Sequence, residues 1–162
     1  MKLADKIKFS LMRFTRSTAT DVIVPNFYIN SPWEMDLCRI TKAGIVYEYE
    51  IKISKSDFKN DFKKANKHSL IKNGGRICNF FYFVVPEGLI SKDEIPEYCG
   101  LYYYTKHDSF TLVKSPKRLH KNKFNDYRML AEKLSFRCNV IQSKYTYERY
   151  LNKDLNKDKW IN

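Results

Sequence analysis

Three residues stand out for their types and spacing: Asp36, Glu50 and Lys52. Side chains alternate across a strand, so within Ile45 to Ile53 the charged Glu48, Glu50 and Lys52 share one face while Tyr47, Tyr49, Ile51 and Ile53 share the other. Upstream, Glu34, Asp36 and Cys38 alternate in the same way, and a tight connection at residues 41 to 44 sets Asp36 opposite residues 48 to 50. Opposed carboxylates on a largely buried sheet repel and are costly to desolvate, so they require a compensating partner. A hard divalent cation is one such partner, because Mg²⁺ takes one or two carboxylates together with water and phosphate oxygens. Lys52 points to the same place, where an ammonium can orient a water, help to deprotonate it, or offset phosphate charge. An exposed edge hairpin laced by cross-strand salt bridges explains the same residues. The tripeptide alone does not choose, since acid-x-Lys recurs at Asp57-Phe58-Lys59 and Asp61-Phe62-Lys63.

The elements that must position these groups follow from periodicity. Leu3, Ile7, Leu11 and Phe14 predict an amphipathic helix over residues 3 to 15, whose basic outer face receives no function. Val22 to Ile29 predicts a strand interrupted or bent near Pro25, followed by strands at about Glu34 to Ile40 and Ile45 to Ile53. Ser54-Lys55-Ser56-Asp57 starts a second helix, and Phe58, Phe62, Ala65 and Ser69 carry it to about Lys72, where Asn73-Gly74-Gly75 ends it. Ile77 to Val85 predicts a buried strand, Ser91 to Ile95 a short helical turn, and Gly100 to Tyr104 with Ser109 to Val113 two further strands around Lys106-His107-Asp108. A basic loop spans residues 114 to 123, and from Asn125 a long helix carries Tyr127, Leu130, Leu134 and Ile141 on its apolar side before a polar tail. The order predicts an α/β fold with a mixed central sheet flanked by helices, in one domain with its core over about residues 1 to 113.

Composition bounds the function. Of 162 residues, 43% are hydrophobic and 15% aromatic, which excludes intrinsic disorder, and no run approaches the roughly 18 to 20 apolar residues of a membrane span. The opening MKLADKIKFSLMRF interrupts its apolar positions with charge, unlike a secretory leader, so a protein of the cytoplasm, not secreted and with no membrane partner, is expected. Cys38, Cys78, Cys99 and Cys138 lie far apart with no Cys-x-x-Cys pair, which argues against zinc and for reduced, mostly buried thiols. A formal net charge of +12 draws the chain toward polyanions, nucleic acid above all.

At this point the residues resemble a family. Asp36, about a dozen residues, then Glu50-x-Lys52 closing a hairpin ahead of a helix resembles the PD-(D/E)XK nuclease superfamily, whose core is the restriction-endonuclease-like αβββαβ arrangement. The run from Glu50 through Asp57-Phe58 and Asp61 to Lys63, then Cys78 to Pro86, then Ile95-Pro96 and Gly100-Leu101, is similar to the MmcB-like DNA-repair-associated branch. Residues 33 to 104 carry the likeness, with Met35 where that pattern has a proline, and Lys64 to His68 where it has a tryptophan and a tyrosine. The resemblance implies that Asp36, Glu50 and the Ile51 carbonyl bind Mg²⁺ or Mn²⁺ and that Lys52 is catalytic. It also implies that Asp61 and Lys63 form a supporting pair on the bordering helix.

Glu34 and Glu48 are candidates to support a second ion or to hydrogen-bond the inner ligands. Lys59, Lys63 and Lys67 fall at i, i+4, i+8 on the second helix, and Lys114, Lys117, Arg118, Lys121 and Lys123 crowd a loop open to disorder without substrate; both could track a phosphate backbone. Tyr102, Tyr103 and Tyr104 suit base stacking or core packing. Of the histidines, His68 lies nearest the site, and none has the spacing of a general base or ligand. The expected activity is Mg²⁺-dependent phosphodiester hydrolysis in nucleic acid, DNA favoured over RNA, in repair, recombination or replication in a bacterial or phage-infected cell. Many nucleases of this fold act as homodimers. The alternatives are a nuclease-like module that binds nucleic acid or a protein partner without cutting, and a structural subunit whose hairpin charges form salt bridges.

Overall fold

Alternating apolar residues on the central strands demand cover on both faces, and that demand sets the layers. In a computed structural model, residues 1–15, 21–29, 32–64, 66–73 and 78–154 are described, so the expected roles of Ala65, Gly74, Gly75 and Ile77 and the polar tail lie outside them. Helix α1 (Leu3–Thr15) precedes three strands, β1 (Val22–Phe27), β2 (Met35–Ile40) and β3 (Val46–Ile51). Two short helices follow, α2 (Lys55–Asp61) and α3 (Lys67–Lys72), then β4 (Phe80–Pro86), β5 (Gly100–Tyr104) and β6 (Phe110–Lys114). The six strands form one sheet in sequence order. β1, β2 and β3 run antiparallel, β3, β4 and β5 run parallel, and β5 and β6 are antiparallel again. The parallel step from β3 to β4 needs a crossover, and α2 with α3 supplies it.

One face packs on α1: Ile7 and Leu11 are fully buried against Leu37, Tyr49, Ile51, Tyr82, Val84 and Tyr104. Tyr49, Tyr82 and Tyr102 form a row across this face, with ring centroids 5.2 and 5.1 Å apart, so core packing takes Tyr102, and Tyr104 is buried beside it. The Tyr103 hydroxyl donates to the Ile90 carbonyl at 2.6 Å. The alternate residues Phe81 and Phe83 turn to the other face, where Phe58 of α2 meets Phe83 edge-on at 5.0 Å. Each such buried ring contributes roughly 1.5–3 kcal/mol relative to exposure.

Several expectations need correction. The single helix over residues 54 to 72 is two helices, because Asn66 adopts a left-handed backbone (φ 59°) that Asn tolerates better than most residues. The break resets the helical phase, so Lys59, Lys63 and Lys67 do not form one stripe. The turn expected over residues 91 to 95 is present, with the Glu94 amide donating to the Ser91 carbonyl at 3.2 Å and the Ser91 amide to the Glu94 carboxylate at 2.8 Å. β1 is not interrupted at Pro25, which pairs with Leu37, but its backbone is irregular one residue on, where Asn26 has a left-handed φ of 50°.

The basic segment 114–123 is not loose. Fully buried Asn79 accepts from the Val46 amide at 2.7 Å and donates to the His120 and Asn122 carbonyls at 3.0 and 2.8 Å. The Phe124 amide donates to the Gly44 carbonyl at 2.7 Å. Gly44 is required there: its φ is +75°, and a Cβ would lie 2.5 Å from the Phe124 carbonyl oxygen. The chain divides after this contact into Met1–Phe124 and Asn125–Asn162. The second unit is built on helix α4 (Tyr127–Asp154), whose first turn is capped by the Asp126 carboxylate accepting from the Met129 amide at 3.0 Å. Of its expected apolar side, Leu130 is buried while Tyr127 and Ile141 are exposed. No helix among the described residues is long and apolar enough to cross a membrane.

Candidate functional site

The hairpin of β2 and β3 fixes the first half of the site. Leu37 pairs with Tyr49 and Cys38 with Glu48, so one step further along the ladder Asp36 faces Glu50. Asp36 Oδ2 accepts from the Ile51 amide at 2.8 Å, which locks that carboxylate against the end of β3. Burial and the neighbouring Glu50 charge push the Asp36 carboxyl above its ordinary range, partly offset by the Ile51 amide and by Lys8 of α1, whose ammonium lies 4.0 Å from Oδ1.

The crossover supplies the second half. Beyond β3 the Lys52 amide donates to the Val84 carbonyl at 3.0 Å, holding the backbone straight for one more residue and keeping Lys52 on the face of Glu50. Ser54 then caps α2 by accepting from the Asp57 amide at 3.1 Å, and α2 brings the buried Asp61 over the sheet. The Lys52 ammonium stands 2.8 Å from Glu50 Oε1, 3.1 Å from Asp61 Oδ1 and 3.6 Å from Asp57 Oδ1. Burial pulls its pKa down, but Glu50 and Asp61 outweigh that and hold it above the ordinary lysine value. The surrounding carboxylates thus hold Lys52 as an ammonium.

Lys64 and Lys67 complete the cluster. The Lys64 ammonium lies 2.8 Å from Asp61 Oδ1 and 3.2 Å from Glu50 Oε1. Lys67, fully buried, reaches Glu50 Oε2 at 2.8 Å, Asp61 Oδ2 at 3.3 Å and Glu48 Oε1 at 3.9 Å. This corrects its expected role: a lysine sealed under α3 among three carboxylates cannot track a phosphate backbone. Asp61 is also held by His68, whose Nε2 lies 2.8 Å from Oδ2 and whose Nδ1 lies 2.8 Å from the Tyr98 hydroxyl. Although burial pushes Asp61 up, the His68 hydrogen bond and the charges of Lys67, Lys64 and Lys52 win and keep it well below the usual carboxylate range.

Glu48 differs. Its Oε1 accepts from the Trp33 indole at 2.8 Å, while Oε2 is buried among the described residues with no strong donor, next to the weakly donating Cys78 thiol. Burial raises the Glu48 carboxyl to about 7 against the pull of Lys67 and Trp33. Burial likewise raises the Cys38 and Cys78 thiols, helped by the Glu48 charge, so these cysteines are unreactive core residues.

The structure thus brings together Asp36, Glu48, Glu50, Ile51, Lys52 and Asp61 of the expected set. It leaves out Lys63, which is exposed while its neighbour Lys64 turns in, and Glu34, which is exposed and accepts from the Asn26 amide side chain. Lys59 and Lys121 are exposed, Lys117 pairs with Glu97, and Arg118 donates to the His120 carbonyl at 3.1 Å. Sequence reasoning missed Lys64, Lys67 as an internal cation, Trp33 and Tyr98, and it placed His68 nearest the site without giving it a role. Only Asp61 hinted at them, as an acid on a helix next to the hairpin.

The charges decide how well a divalent ion fits. Glu48, Glu50 and Asp61 are matched by Lys52, Lys64 and Lys67, so the buried cluster compensates itself. Among the described residues no group of three or more His, Cys, Asp or Glu side chains is placed to hold a metal. Two carboxylates suffice for Mg²⁺, however, and Asp36 with Glu50 is such a pair: hard oxygens, mutually repelling, with Asp36 partly exposed and its nearest ammonium 4.0 Å away. The donor set fits a hard cation at the Asp36 end of the cluster.

No known family model matches the chain, and no curated protein does. Among solved structures the chain is similar to the SPO1766 protein of unknown function from Silicibacter pomeroyi, with a TM-score of 0.58, 16% identity, and coverage of 100% of this chain and 97% of that one. At that identity the likeness is one of fold: a mixed α/β chain with a six-stranded mixed sheet flanked by helices.

Proposed function

We propose that this chain is a divalent-metal-dependent nuclease of the PD-(D/E)XK type, built on a restriction-endonuclease-like core, that hydrolyses phosphodiester bonds in nucleic acid, DNA in preference to RNA. The observation that supports this reading is the opposition of Asp36 and Glu50 across the hairpin, with Lys52 on the same face and Asp36 clasped by the Ile51 amide at 2.8 Å. Asp36 and Glu50, with the Ile51 carbonyl, would hold the ion. Bound there, a divalent cation supplies Lewis-acid polarisation and charge neutralisation at a phosphoryl oxygen. Lys52, held protonated between Glu50 and Asp61, offers a fixed positive charge to the phosphate as negative charge develops on it. Asp61, clamped by His68, keeps Lys52 in place. The pinned segment carrying Lys117, Arg118 and Lys121 is the proposed surface for the phosphate backbone, in a protein of +12 formal charge acting in the cytoplasm.

A second reading has its own observation. Both Glu50 oxygens already meet ammonium groups, as a charge-balanced binding module without catalysis would have them. One experiment separates the two: single-stranded, duplex and branched DNA and RNA are incubated with the protein in Mg²⁺, Mn²⁺ or EDTA, with binding measured in parallel. Metal-dependent cutting supports the nuclease. Salt-sensitive binding with no cutting under any metal overturns it in favour of the module.

A further inference from the structure

The Glu50 carboxylate poses a problem for any cation that approaches it. Oε2 is buried and faces Lys67 at 2.8 Å, and Oε1 is shared by Lys52 at 2.8 Å and Lys64 at 3.2 Å. An ion that takes Glu50 Oε1 therefore competes with the two ammoniums already on it, and the repulsion a third cation adds there is relieved when one of them leaves. The three lysines are not equally free to leave. The side chain of Lys67 is 1% exposed and that of Lys52 is 5% exposed, whereas that of Lys64 is 48% exposed. Lys52 and Lys67 would have to cross packed protein; Lys64 needs only to rotate into water.

The backbone around Lys64 suits that movement. Its amide donates to the Asp61 carbonyl at 3.2 Å and its carbonyl accepts from the Lys67 amide at 3.3 Å, in the break between α2 and α3. The main chain stays pinned while the side chain swings. Meanwhile Lys64 bridges Glu50 Oε1 and Asp61 Oδ1, two buried carboxylate oxygens that would otherwise lose a counter-charge.

We propose that Lys64 is a resident stand-in cation: its ammonium holds the Glu50 and Asp61 carboxylates until a divalent ion displaces it, so Lys64 sets the threshold of metal affinity for the site. This inference rests on the nuclease reading for the metal itself. The bridge is half-exposed and worth no more than a surface pair or two, so its removal changes metal affinity by about tenfold.

Mn²⁺ binding to the full-length protein tests the idea, measured by calorimetry and by the electron paramagnetic resonance of the free ion. Wild type is compared with Lys64→Met, Lys64→Arg, Lys63→Met and Asp36→Asn, with thermal melts confirming that each is folded. The expected result is about tenfold tighter Mn²⁺ binding by Lys64→Met, wild-type affinity for Lys63→Met, affinity no tighter than wild type for Lys64→Arg, and loss of binding by Asp36→Asn. Amine-labelling of wild type read by mass spectrometry gives a second measure: Mn²⁺ should speed the modification of Lys64 several-fold and leave Lys63 unchanged. Equal or weaker binding by Lys64→Met, with Asp36→Asn still abolishing it, overturns the stand-in role and leaves the metal site standing. Failure of every protein to bind Mn²⁺ overturns the metal site and this inference together.

Discussion

Replacing Lys67 by Met removes a positive charge from the most buried part of the molecule while keeping the length of the side chain. Lys67 faces Glu50, Asp61 and Glu48 at 2.8, 3.3 and 3.9 Å. Without it, three buried carboxylates face only Lys52 and Lys64. Leaving one buried charge unmatched typically costs about 3–5 kcal/mol. The protein has one way to soften the loss, which is to protonate Glu48, whose carboxyl already sits at about 7. That places the expected destabilisation at pH 7 near the lower limit, about 3 kcal/mol.

The same route gives the loss a pH signature. In wild type Glu48 is half ionised at pH 7 in the folded chain and ionised in the unfolded one, and above about pH 8 it is ionised in both, so it adds little slope there. In Lys67→Met its folded pKa rises further and the folded state alone keeps the proton. The destabilisation should then grow above pH 7, reaching about 1.4 kcal/mol per pH unit from about pH 8, until that higher pKa is reached. Urea unfolding followed by circular dichroism at pH 6, 7, 8 and 9 measures this directly. A destabilisation below about 1 kcal/mol at pH 7, or one that stays constant from pH 7 to 9, would refute the charge accounting.

Two further outcomes follow from the same geometry. Glu48→Gln keeps an acceptor for the Trp33 indole but cannot ionise. Because the folded pKa of Glu48 is raised to about 7 from 4.5, wild-type stability from this group is full at low pH and lost as pH climbs through that window; Gln should flatten the slope between pH 5 and 7 and stabilise the protein at pH 8 by roughly 3 kcal/mol, read from the same unfolding curves. On the basic segment, the triple variant Lys117→Ala, Arg118→Ala, Lys121→Ala should weaken binding to DNA and lower the dependence of log affinity on log salt by about two, since Lys117 is already paired with Glu97; fluorescence anisotropy at several salt concentrations reads the slope, and an unchanged slope places the DNA elsewhere.

The hairpin and its register were legible because strand periodicity is short and strict. Val46 to Ile51 alternates between the two faces, and a turn ending at Gly44 leaves only one pairing that buries Tyr49 and Ile51, which puts Asp36 across from Glu50. The break at Asn66 was hidden because Phe58, Phe62 and Ser69 continue a helical spacing through it, and nothing local demands a left-handed residue. The break turns Lys67 inward, onto carboxylates from β3 and α2 that no local window sees together. Lysine in a basic sequence reads as solvent-facing, so its burial was the least visible feature. Trp33 was missed for a related reason, since its partner Glu48 lies 15 residues away, and His68, though placed nearest the site, received no role because its bridge from Asp61 ends on Tyr98, 30 residues away.

Asp36 offers the most direct test of the central claim because it lies at the partly exposed rim, outside the ion pairs that link Glu50, Asp61 and the lysines. Cleavage of one DNA substrate should be compared for wild type and Asp36→Asn at equal folded fraction, in Mn²⁺ and in EDTA. The account predicts cutting by wild type that requires the metal, at least a hundredfold slower cutting by Asp36→Asn, on the order of an inner-ligand loss, and near-normal DNA binding by both. Cutting by Asp36→Asn at the wild-type rate, or by wild type in EDTA, would contradict it.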